Sequence, residues 1–511
     1  MSIELSEQEQ LRRQSLAALR ELGIDPYPAA RYEVTATARE IAENFDPAKN
    51  NFQGIRIAGR IMSRRIMGSA SFFELQDHTG RIQVYIRRDD ICPEGDPTLY
   101  NTVFKKLLDI GDIVGVEGFA FRTNTGELSV HCQKLTLLSK SLRPLPVVKE
   151  KDGQTFDAFT DPEIRYRQRY VDLIVNPHVR EVFIKRSKII STMREYFNQF
   201  GYVEVETPIL QPIPGGAAAR PFTTHMNAFD LDLYLRIAPE LFLKRCLVGG
   251  IDRVFEINRD FRNEGVDATH APEFTMVEAY QAYGNYDTIG ALVKQLVQDT
   301  AMDVFGSHKG TLLDGTEYDF GGEWKTISMY DSLSEALGEE IVPNGGPDNP
   351  GTSVEHLGEI ADKLGVERDD VENHGKLVEH LWEHFYEDKL YEPTFVRDFP
   401  VETSPLVKGH RSKAGVVEKW DLYVRGFELA TGYSELNDPV VQRERFVAQA
   451  KDALAGDEEA CDIDEDFLEA LGVGMPPAGG MGMGIDRLLI ALTGATIRET
   501  ITFPLVKPLV G

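Results

Sequence analysis

The sequence predicts an α+β protein in which a small barrel of strands precedes a larger unit of strands and helices. Residues 51–139 alternate apolar and polar side chains with a period of two, which is typical of half-buried strands. Residues 181–200 instead follow a strongly helical pattern, and further strand-like runs lie near 253–262, 272–282 and 419–435. The length of 511 residues allows about two to four domains, so both units fit in one chain.

The charge is distributed unevenly along the chain. The protein has 55 Lys and Arg against 82 Asp and Glu, a formal charge of −27, which excludes a nucleic-acid-binding protein that is basic over its whole surface. Residues 1–150, however, hold 20 basic and 20 acidic side chains. Two stretches, 331–400 (net −13) and 451–470 (net −8), supply most of the excess, and we expect both to be solvated helices and surface without a site of their own.

Cysteine usage and the lack of long apolar segments indicate a cytoplasmic protein without a membrane anchor. Cys92, Cys132, Cys246 and Cys461 have no C-x-x-C spacing, so neither a disulfide framework nor a thiolate zinc site is predicted. The N-terminus has no apolar run of signal-peptide length, and no segment approaches the about 18 apolar residues of a membrane span.

Residues 1–50 are predicted to form an N-terminal helical extension. A helix over 6–22 begins at a capping box formed by Ser6 and Glu9 and ends at Gly23.

Residues 51–145 are predicted to form the barrel. Three short strands are followed by a helix near 101–109 and then by strands near 112–122 and 127–138. Five strands with a helix between the third and the fourth are the element order of an OB-fold.

The alternation also assigns the faces of the barrel strands. If Phe73 points inward, Phe72 points outward, and so does Gln83 on the next strand. Together with Glu127 and the adjacent Arg64 and Arg65, these side chains could stack on and read a splayed single-stranded base. An exposed Phe on an ordinary barrel explains the pattern equally well.

The rest of the chain divides into a linker and the larger unit. We expect the linker over 146–180, because Pro144 and Pro146 precede it, and the larger unit over 181–511. Within that unit the acidic stretch is a helical insertion at about 331–400.

A glycine-rich turn at 479–494 is the weakest of three candidate sites. It does not fit G-x-G-x-x-G, and no Walker A sequence occurs in the chain. Arg487 stands where the following helix begins, which suits a polyphosphate. Tight packing of the helix on a sheet is the competing interpretation.

A second candidate site is the strand–loop–strand segment RVFEINRDFRNEGVDATHAPEFTMVEAYQAY (253–283). Arg262 and Glu264 lie at the edge of its loop and His270 lies within the loop. On the second strand one face carries a mixture that an apolar core would not select, namely Phe274, Met276, Glu278 and Tyr280.

A third candidate is a hairpin in KWDLYVRGFELATGYSELNDP (419–439). A turn at Arg425-Gly426 brings Asp421 and Glu428 onto one face of the hairpin. Two carboxylates that share a cation are typical of a Mg²⁺ site completed by a nucleotide, although a solvated hairpin gives the same pattern.

These segments resemble class II aminoacyl-tRNA synthetases, specifically the lysyl-tRNA synthetases of bacterial type. The resemblance covers nearly the whole chain, and its longest motifs are VETPILQPIPGGAAARPF (205–222), LRIAPELFLKR (235–245), FRNEG…HAPEFTM (261–276), GYSELNDP (432–439) and GMGIDRL (482–488). It implies a catalytic domain built on an antiparallel sheet flanked by helices, and a homodimer. It also implies the activation of L-lysine with ATP and Mg²⁺, followed by transfer to tRNA(Lys).

The resemblance further implies a role for each matching residue. Arg262 and Arg487 would be the catalytic arginines. Arg262 would bind the α-phosphate and the lysine carboxylate, and Arg487 would bind the γ-phosphate. The remaining roles are contacts to ATP by Glu264, His270 and Phe274; to the lysine α-amino group by Gly216 and Glu240; to its ε-ammonium by Tyr280 and Glu435; to Mg²⁺ by Asp421 and Glu428; and to the anticodon by Arg65, Phe72, Gln83 and Glu127.

One position departs from the family pattern. Many members have Asn where this chain has Thr431, between Glu428 and Glu435, and that Asn helps to hold the substrate. The hydrogen bonding at Thr431 is therefore left open.

Other functions fit less of the sequence. HLWEH (380–384) matches H-x-x-E-H of a zinc-peptidase class, although a solvated helix explains it better. Relatives that lysylate a translation factor lack the barrel, and relatives that lysylate a lipid carry membrane segments. An RNA-binding protein with an inactive catalytic domain conflicts with the intact Arg262, Glu240, Asp421, Glu428 and Arg487.

Overall fold

The computed structural model describes residues 5–92, 95–146, 149–151, 154–156, 159–312, 315–368, 372–454 and 463–508. The chain forms two compact units, Met1–Thr160 and Asp161–Gly511. The division falls within the linker expected over 146–180, and its second half, 161–180, is folded into the larger unit. Cys461 lies outside the described residues.

The smaller unit contains the extension and the barrel. Helix α1 begins at the expected Ser6–Glu9 capping box, which confirms the predicted start. The elements are α1 (Glu7–Glu21), α2 (Ala38–Asn44), β1 (Ile55–Arg65), β2 (Ala70–Gln76), β3 (Arg81–Arg87), α3 (Arg88–Ile91), a π-helix (Leu99–Leu107), β4 (Ile113–Arg122), β5 (Leu128–Ser139), β6 (Lys149–Lys151) and β7 (Gln154–Phe156).

Strands β1 to β5 close into a barrel in the order β1-β2-β3-β5-β4, which confirms the predicted OB-fold. The pairs are antiparallel except β3 with β5, which run parallel. Inward side chains such as Phe73, Leu75 and Val84 are buried in one apolar core, whereas Phe72 and Gln83 lie on the outer face. The alternation in the sequence therefore assigned both faces correctly.

The larger unit is built on one sheet with helices packed against it. Its helices are α4 (Pro162–Arg167), α5 (Arg169–Val175), α6 (Pro177–Gln199), α7 (Glu240–Val248), α8 (Tyr286–Phe305), α9 (Met329–Leu337), α10 (Val354–Leu364), α11 (His374–Tyr386), a 3₁₀ turn (Glu387–Lys389), α12 (Pro439–Leu454), α13 (Glu465–Val473), α14 (Ile485–Thr493) and α15 (Ile497–Thr500). Its strands are β8 (Val203–Glu204), β9 (Leu210–Gln211), β10 (Thr223–Met226), β11 (Leu231–Leu235), β12 (Arg253–Phe261), β13 (Glu273–Ala282), β14 (Lys309–Thr311), β15 (Glu317–Asp319), β16 (Lys325–Ser328), β17 (Thr394–Arg397), β18 (Lys419–Val424), β19 (Phe427–Ser434) and β20 (Ala478–Gly484).

The main sheet has eight strands in the order β16-β17-β18-β19-β20-β13-β12-β8. Its neighbours are antiparallel from β17 to β12, which confirms the antiparallel sheet implied by the resemblance. Apolar side chains of α6, α8 and α14 pack against one face and form the largest core of the unit, as Phe197, Val293 and Leu488 illustrate. The opposite face of the main sheet is not part of this core, so polar side chains can lie on it.

Residues 161–180 belong to the larger unit because a buried ionic cluster fixes them there. Arg169 and Asp172, both fully buried, form an ion pair with a 2.7 Å separation, and Arg165 also pairs with Asp172. Arg169 donates further hydrogen bonds to the backbone oxygens of Thr502 and Arg498. The side chains of RYRQRY thus tie the segment to the C-terminal helices.

Candidate active site

The polar face of the main sheet lines a cavity of about 350 Å³. The strands concerned, β18, β19, β20 and β13, are adjacent in the sheet. Successive side chains of a strand point to opposite faces, so that Val277 and Ala279 enter the core while Met276, Glu278 and Tyr280 face the cavity. The other sheet residues in the lining are Lys419, Asp421, Glu428, Thr431, Tyr433 and Gly482.

The glycines of β20 are required by side chains that cross this face. A Cβ on Gly480 would lie 2.0 Å from Glu435 Oε1 and 2.5 Å from the Tyr280 ring. The glycine-rich run was predicted as a turn for a ligand or for helix packing. The structure shows that the run is a strand, and because Gly480 has no side chain, Glu435 and Tyr280 have room to pack against it.

Two buried glutamates share one buried ammonium group beside the cavity. Glu240, at the start of α7, lies 2.7 Å from Lys244 Nζ and accepts a 2.6 Å hydrogen bond from the Tyr433 hydroxyl. The same Lys244 Nζ lies 2.5 Å from Glu435 Oε2. Glu240 lines the cavity, whereas Glu435 is fully buried behind its wall.

Burial has the largest effect on the pKa values of Glu435 and Glu278. It raises the pKa of Glu435 to about 8, against the lowering effect of Lys244 and with a further raising effect of Glu240. Burial also raises the pKa of Glu278 well above its usual range, although the Tyr280 hydroxyl donates a 2.9 Å hydrogen bond to Glu278 Oε2. A cationic ligand close to Glu435 and Glu278 would favour the charged form of both acids.

Gly216 closes the same end of the cavity from a loop. Its φ is +93°, and a Cβ there would come within 3.0 Å of the Cβ of Glu240. The structure thus brings Gly216, Glu240 and Tyr280 to one cavity, with Glu435 immediately behind them.

Arg262 and Phe274 form a second part of the site. The guanidinium carbon of Arg262 lies 5.2 Å from the Phe274 ring centroid, and the backbone N–H of Arg262 donates to Pro272 O across the loop. Arg262 lines the cavity, and its Nε is buried with no hydrogen-bond partner among the described residues. A buried donor of this kind is satisfied by an anionic ligand.

His270 and Arg487 contact each other, and neither is part of the cavity lining. Arg487 donates one hydrogen bond to Glu428 O at 2.7 Å and another to His270 Nε2 at 3.1 Å, while His270 Nδ1 lies 2.7 Å from Asp267 Oδ2. Glu264 is exposed and accepts a hydrogen bond from the backbone N–H of Arg220.

Asp421 and Glu428 both line the cavity, as the predicted hairpin requires. The turn residues Arg425 and Gly426 have φ values of +56° and +78°. A bulge at Leu429 of β19, opposite the step from Leu422 to Tyr423, sets Asp421 opposite Thr431 and Glu428 opposite Tyr423.

The Asp421 carboxylate is electrostatically strained. Burial raises its pKa to about 7, Lys419 at 3.1 Å opposes the shift, and Glu428 adds to it. Among the described residues, its buried Oδ1 has no hydrogen-bond partner, and neither has the buried Oγ1 of Thr431. A divalent cation between the two carboxylates fits this donor set.

The expectation that 331–400 and 451–470 are solvated surface is wrong for part of each stretch. In 451–470, Phe467 and Leu468 of α13 are buried in an apolar core. In 331–400, Leu377, Leu381 and Trp382 of α11 are buried in another. On the other side of α11, Glu379 accepts a 2.6 Å hydrogen bond from Thr403, and burial raises its pKa. Desolvation by the surrounding protein raises the pKa of Glu383 to about 8, and the negative charges of Glu387, Glu379 and Glu428 add to the shift. Helix α11 therefore places further acids near the Asp421–Glu428 pair.

The zinc-peptidase alternative gains no support from the fold. Throughout the ranges that the structure describes, no three His, Cys, Asp or Glu side chains come together as a metal-binding group. The HLWEH segment forms part of α11, whose apolar side contributes to a core.

The barrel carries its own cavity, of about 510 Å³, and all four predicted anticodon residues line it: Arg65, Phe72, Gln83 and Glu127. The Phe72 ring lies 5.2 Å from the Tyr85 ring, and Gln83 donates a 2.8 Å hydrogen bond to Ser129. Tyr85 in turn contacts His131 and Phe121. This wider aromatic surface was not predicted, although the outward phase of Tyr85 on β3 is the sequence signal that indicates it.

Both units match known protein families. Residues 161–507 match the model of class II tRNA synthetases (D, K and N), and residues 55–138 match the model of the OB-fold nucleic acid binding domain. In the described part of the chain, no helix combines the length and the apolar character that crossing a membrane requires.

Curated relatives resemble the chain over almost its full length. The lysine–tRNA ligase of Kineococcus radiotolerans is 54% identical over 509 residues, which are 99% of this chain and 98% of that protein. The lysine–tRNA ligase of Porphyromonas gingivalis is 53% identical over 99% of this chain and 86% of its own length. The enzyme of the same name from Mycolicibacterium gilvum is 51% identical over 99% of this chain and 98% of its own length.

Proposed function

This chain belongs to the class II tRNA synthetases (D, K and N), and from that membership we propose how its residues carry out the reaction. It is a lysine–tRNA ligase, as its full-length relatives indicate. It activates L-lysine with ATP to lysyl-adenylate, releases pyrophosphate and transfers lysine to the 3′-terminal ribose of tRNA(Lys). Lysine-dependent exchange of pyrophosphate into ATP tests the first step.

The choice of lysine rests on the charges of the cavity. Lysine brings two ammonium groups and one carboxylate, so its site needs acids and one cation. Glu240 and Gly216 receive the α-amino group, Glu435 and Tyr280 receive the ε-ammonium, and Arg262 receives the carboxylate. An aspartate-specific site would need a cation where this cavity has Glu435.

In the first step an oxygen of the lysine carboxylate attacks the α-phosphorus of ATP. The bond from that phosphorus to the bridging oxygen breaks, and pyrophosphate leaves. Two anions must approach each other, so Arg262 positions the carboxylate against the α-phosphate and neutralises both. Phe274 stacks on the adenine, Glu264 and His270 contact ATP, and Arg487 holds the γ-phosphate.

In the second step a hydroxyl of the terminal tRNA ribose attacks the lysyl carbonyl and AMP leaves. Neither step needs a covalent intermediate with the protein. The chain therefore contributes binding, orientation and charge, which is the pattern of catalysis by positioning.

We propose that Asp421 and Glu428 hold Mg²⁺ together with the phosphates of ATP. The unpaired Asp421 Oδ1 and the raised pKa of its carboxyl support this assignment. When bound, the ion neutralises phosphate charge in the transition state. Glu379 and Glu383 of α11 lie on the same side, and both have a raised pKa.

Replacing Asp421 with Asn is expected to raise the Mg²⁺ concentration needed for half-maximal pyrophosphate exchange by about tenfold or more, because the amide lacks the charge that binds the ion. Magnesium titrations of exchange by wild type and variant measure the shift. The matched control is Asp398→Asn, since Asp398 pairs with Lys413 outside the cavity. Equal magnesium requirements for wild type and the Asp421 variant would contradict the assignment.

The barrel is proposed to read the anticodon through Arg65, Phe72, Gln83 and Glu127. Phe72 supplies a stacking surface, and the amide of Gln83 supplies donors and an acceptor for a base edge. Arg65 suits the phosphate backbone or a base, while the negative excess of the chain lies outside residues 1–150.

Replacing Phe72 with Ala is expected to raise the KM for tRNA(Lys) about 5- to 100-fold, because one stacked base contributes about 1–3 kcal/mol. Pyrophosphate exchange should stay unchanged, since that step uses no tRNA. Tyr27→Ala, an exposed aromatic of the same unit away from the cavity, is the control. Parallel measurements of aminoacylation and exchange decide the matter, and equal losses in both would contradict the assignment.

We further propose a cytoplasmic homodimer. The motif that corresponds to the family's dimer interface is α6 with β8, and Ile184, Phe200 and Val203 expose apolar side chains there. Exposed apolar side chains on one helix and the strand that follows it favour contact with a second copy of the chain. The mass in solution, from sedimentation equilibrium, tests the proposal.

A further inference from the structure

Lys244 lies at the centre of the charged groups beside the cavity, yet it does not line the cavity itself. Its side chain is fully buried. The ammonium group donates hydrogen bonds to Glu240 Oε1 at 2.7 Å and to Leu406 O at 3.3 Å, and it forms an ion pair with Glu435 Oε2 at 2.5 Å.

The ring of Tyr433 covers the same ammonium. Lys244 Nζ lies 5.6 Å from the ring centroid, and the Tyr433 hydroxyl binds the second oxygen of Glu240. The cation is thus held in a fixed place between the two glutamates proposed to receive the ammonium groups of lysine. No group of the substrate can replace it without breaking a buried ion pair.

We propose that Lys244 is a positioning residue for substrate selection: its ammonium fixes the carboxyl groups of Glu240 and Glu435 relative to each other at the place where lysine is received. This inference rests on the proposed function, since it assigns a task to the pair of glutamates only if lysine is the substrate. Lys244 acts through the two acids and does not touch lysine.

The charged and titratable groups around Glu435 support this role. Lys244 and Glu240 face it from α7, Tyr280 from β13 and Tyr433 from β19. Burial and Glu240 raise the pKa of Glu435, and Lys244 is the cation that lowers it. Removal of Lys244 therefore raises this pKa, whereas removal of the negative charge of Glu240 lowers it.

The sign of the pH effect follows directly. Glu435 binds an ammonium group only when it is ionised, so kcat/KM for lysine rises with pH through the pKa of this carboxyl in the free enzyme. Lys244→Met moves this ascending limb to higher pH. Glu240→Gln moves it to lower pH, while it also weakens lysine binding at every pH.

The test measures lysine-dependent pyrophosphate exchange from about pH 6.5 to about pH 9.5 for wild type, Lys244→Met and Glu240→Gln. The limb of Lys244→Met is expected about one pH unit or more above that of wild type, with a KM for lysine at neutral pH about tenfold higher. The KM for ATP should stay within about twofold of wild type. Leu243→Met, an equally buried neighbour on α7, controls for repacking of the helix.

An upward shift of the limb in Lys244→Met supports the inference, because a lysine with a purely structural role would leave the limb in place; Glu240→Gln, whose limb should move downward, shows that the limb reports the charge around Glu435. A Lys244→Met enzyme whose limb coincides with that of wild type would overturn it, as would a rise in KM that is the same at every pH. If Lys244→Met does not fold, Lys244→Gln, which also removes the charge but keeps hydrogen-bonding groups, takes its place: a limb that coincides with that of wild type overturns the inference. A wild-type enzyme without lysine-dependent exchange would refute the proposed function instead, so the two failures are distinguishable.

Discussion

Replacing Arg262 with Ala is expected to reduce lysine-dependent pyrophosphate exchange about 100-fold or more. The loss of one fixed donor aimed at developing charge costs about this much in other enzymes. Arg262 is proposed to bind the lysine carboxylate and the α-phosphate together, so its removal weakens the approach of the two anions to each other. Its buried Nε, which has no partner among the described residues, identifies the guanidinium as a group prepared for an anion.

The control for this variant lies on the same hairpin. Arg259 of β12 pairs with Glu273 and lies outside the cavity, so Arg259→Ala should retain exchange within about threefold. Steady-state kinetics with lysine and ATP varied separately measure both variants. If Arg262→Ala kept the activity of Arg259→Ala, Arg262 would not be a catalytic residue.

Replacing Glu435 with Gln is expected to raise the KM for lysine about 10- to 100-fold while the KM for ATP stays nearly constant. A charge-assisted hydrogen bond between a buried carboxylate and an ammonium contributes about 1.5–3 kcal/mol, which corresponds to this range. Glutamine keeps the shape of the side chain. The change therefore isolates the charge that selects the ε-ammonium.

Glu273→Gln is the matched control, because Glu273 is exposed and pairs with Arg259. Its KM for lysine should equal that of wild type. Exchange assays with lysine, ornithine and norleucine report whether selectivity for the terminal ammonium falls in the Glu435 variant. An unchanged preference for lysine over norleucine would contradict the role of Glu435.

Local patterns in the sequence were sufficient for the parts of the fold that depend on strand alternation and turn chemistry. The cavity face of β13 was predicted from the mixed side chains of Phe274, Met276, Glu278 and Tyr280, and the hairpin turn from Arg425-Gly426. In both cases a period of two or a two-residue turn determines which side chains share a face.

Contacts between distant segments could not be predicted in this way. Lys244 and Glu435 are far apart in the chain, and only the packing of α7 against the main sheet brings them together. The bulge at Leu429 depends on the register of two strands, and Gly480 of β20 is explained by the side chains of Tyr280 and Glu435. The acid content of α11 hid its apolar side, because net charge averages over both sides of a helix.

The four predicted anticodon residues illustrate an intermediate case. Alternation placed Phe72 and Gln83 on the outer face of the barrel, but the closure of the barrel was needed to bring Glu127 to the same cavity. The net charge of −27 concealed this surface, since residues 1–150 are neutral in sum.

The central claim is that the cavity of the larger unit activates lysine. Exchange of labelled pyrophosphate into ATP, measured with the purified full-length enzyme and each of the standard amino acids in turn, tests it most directly. We predict exchange that depends on lysine and is at most marginal with aspartate, asparagine and the other amino acids. Exchange with aspartate in place of lysine, or with no amino acid at all, would contradict the account.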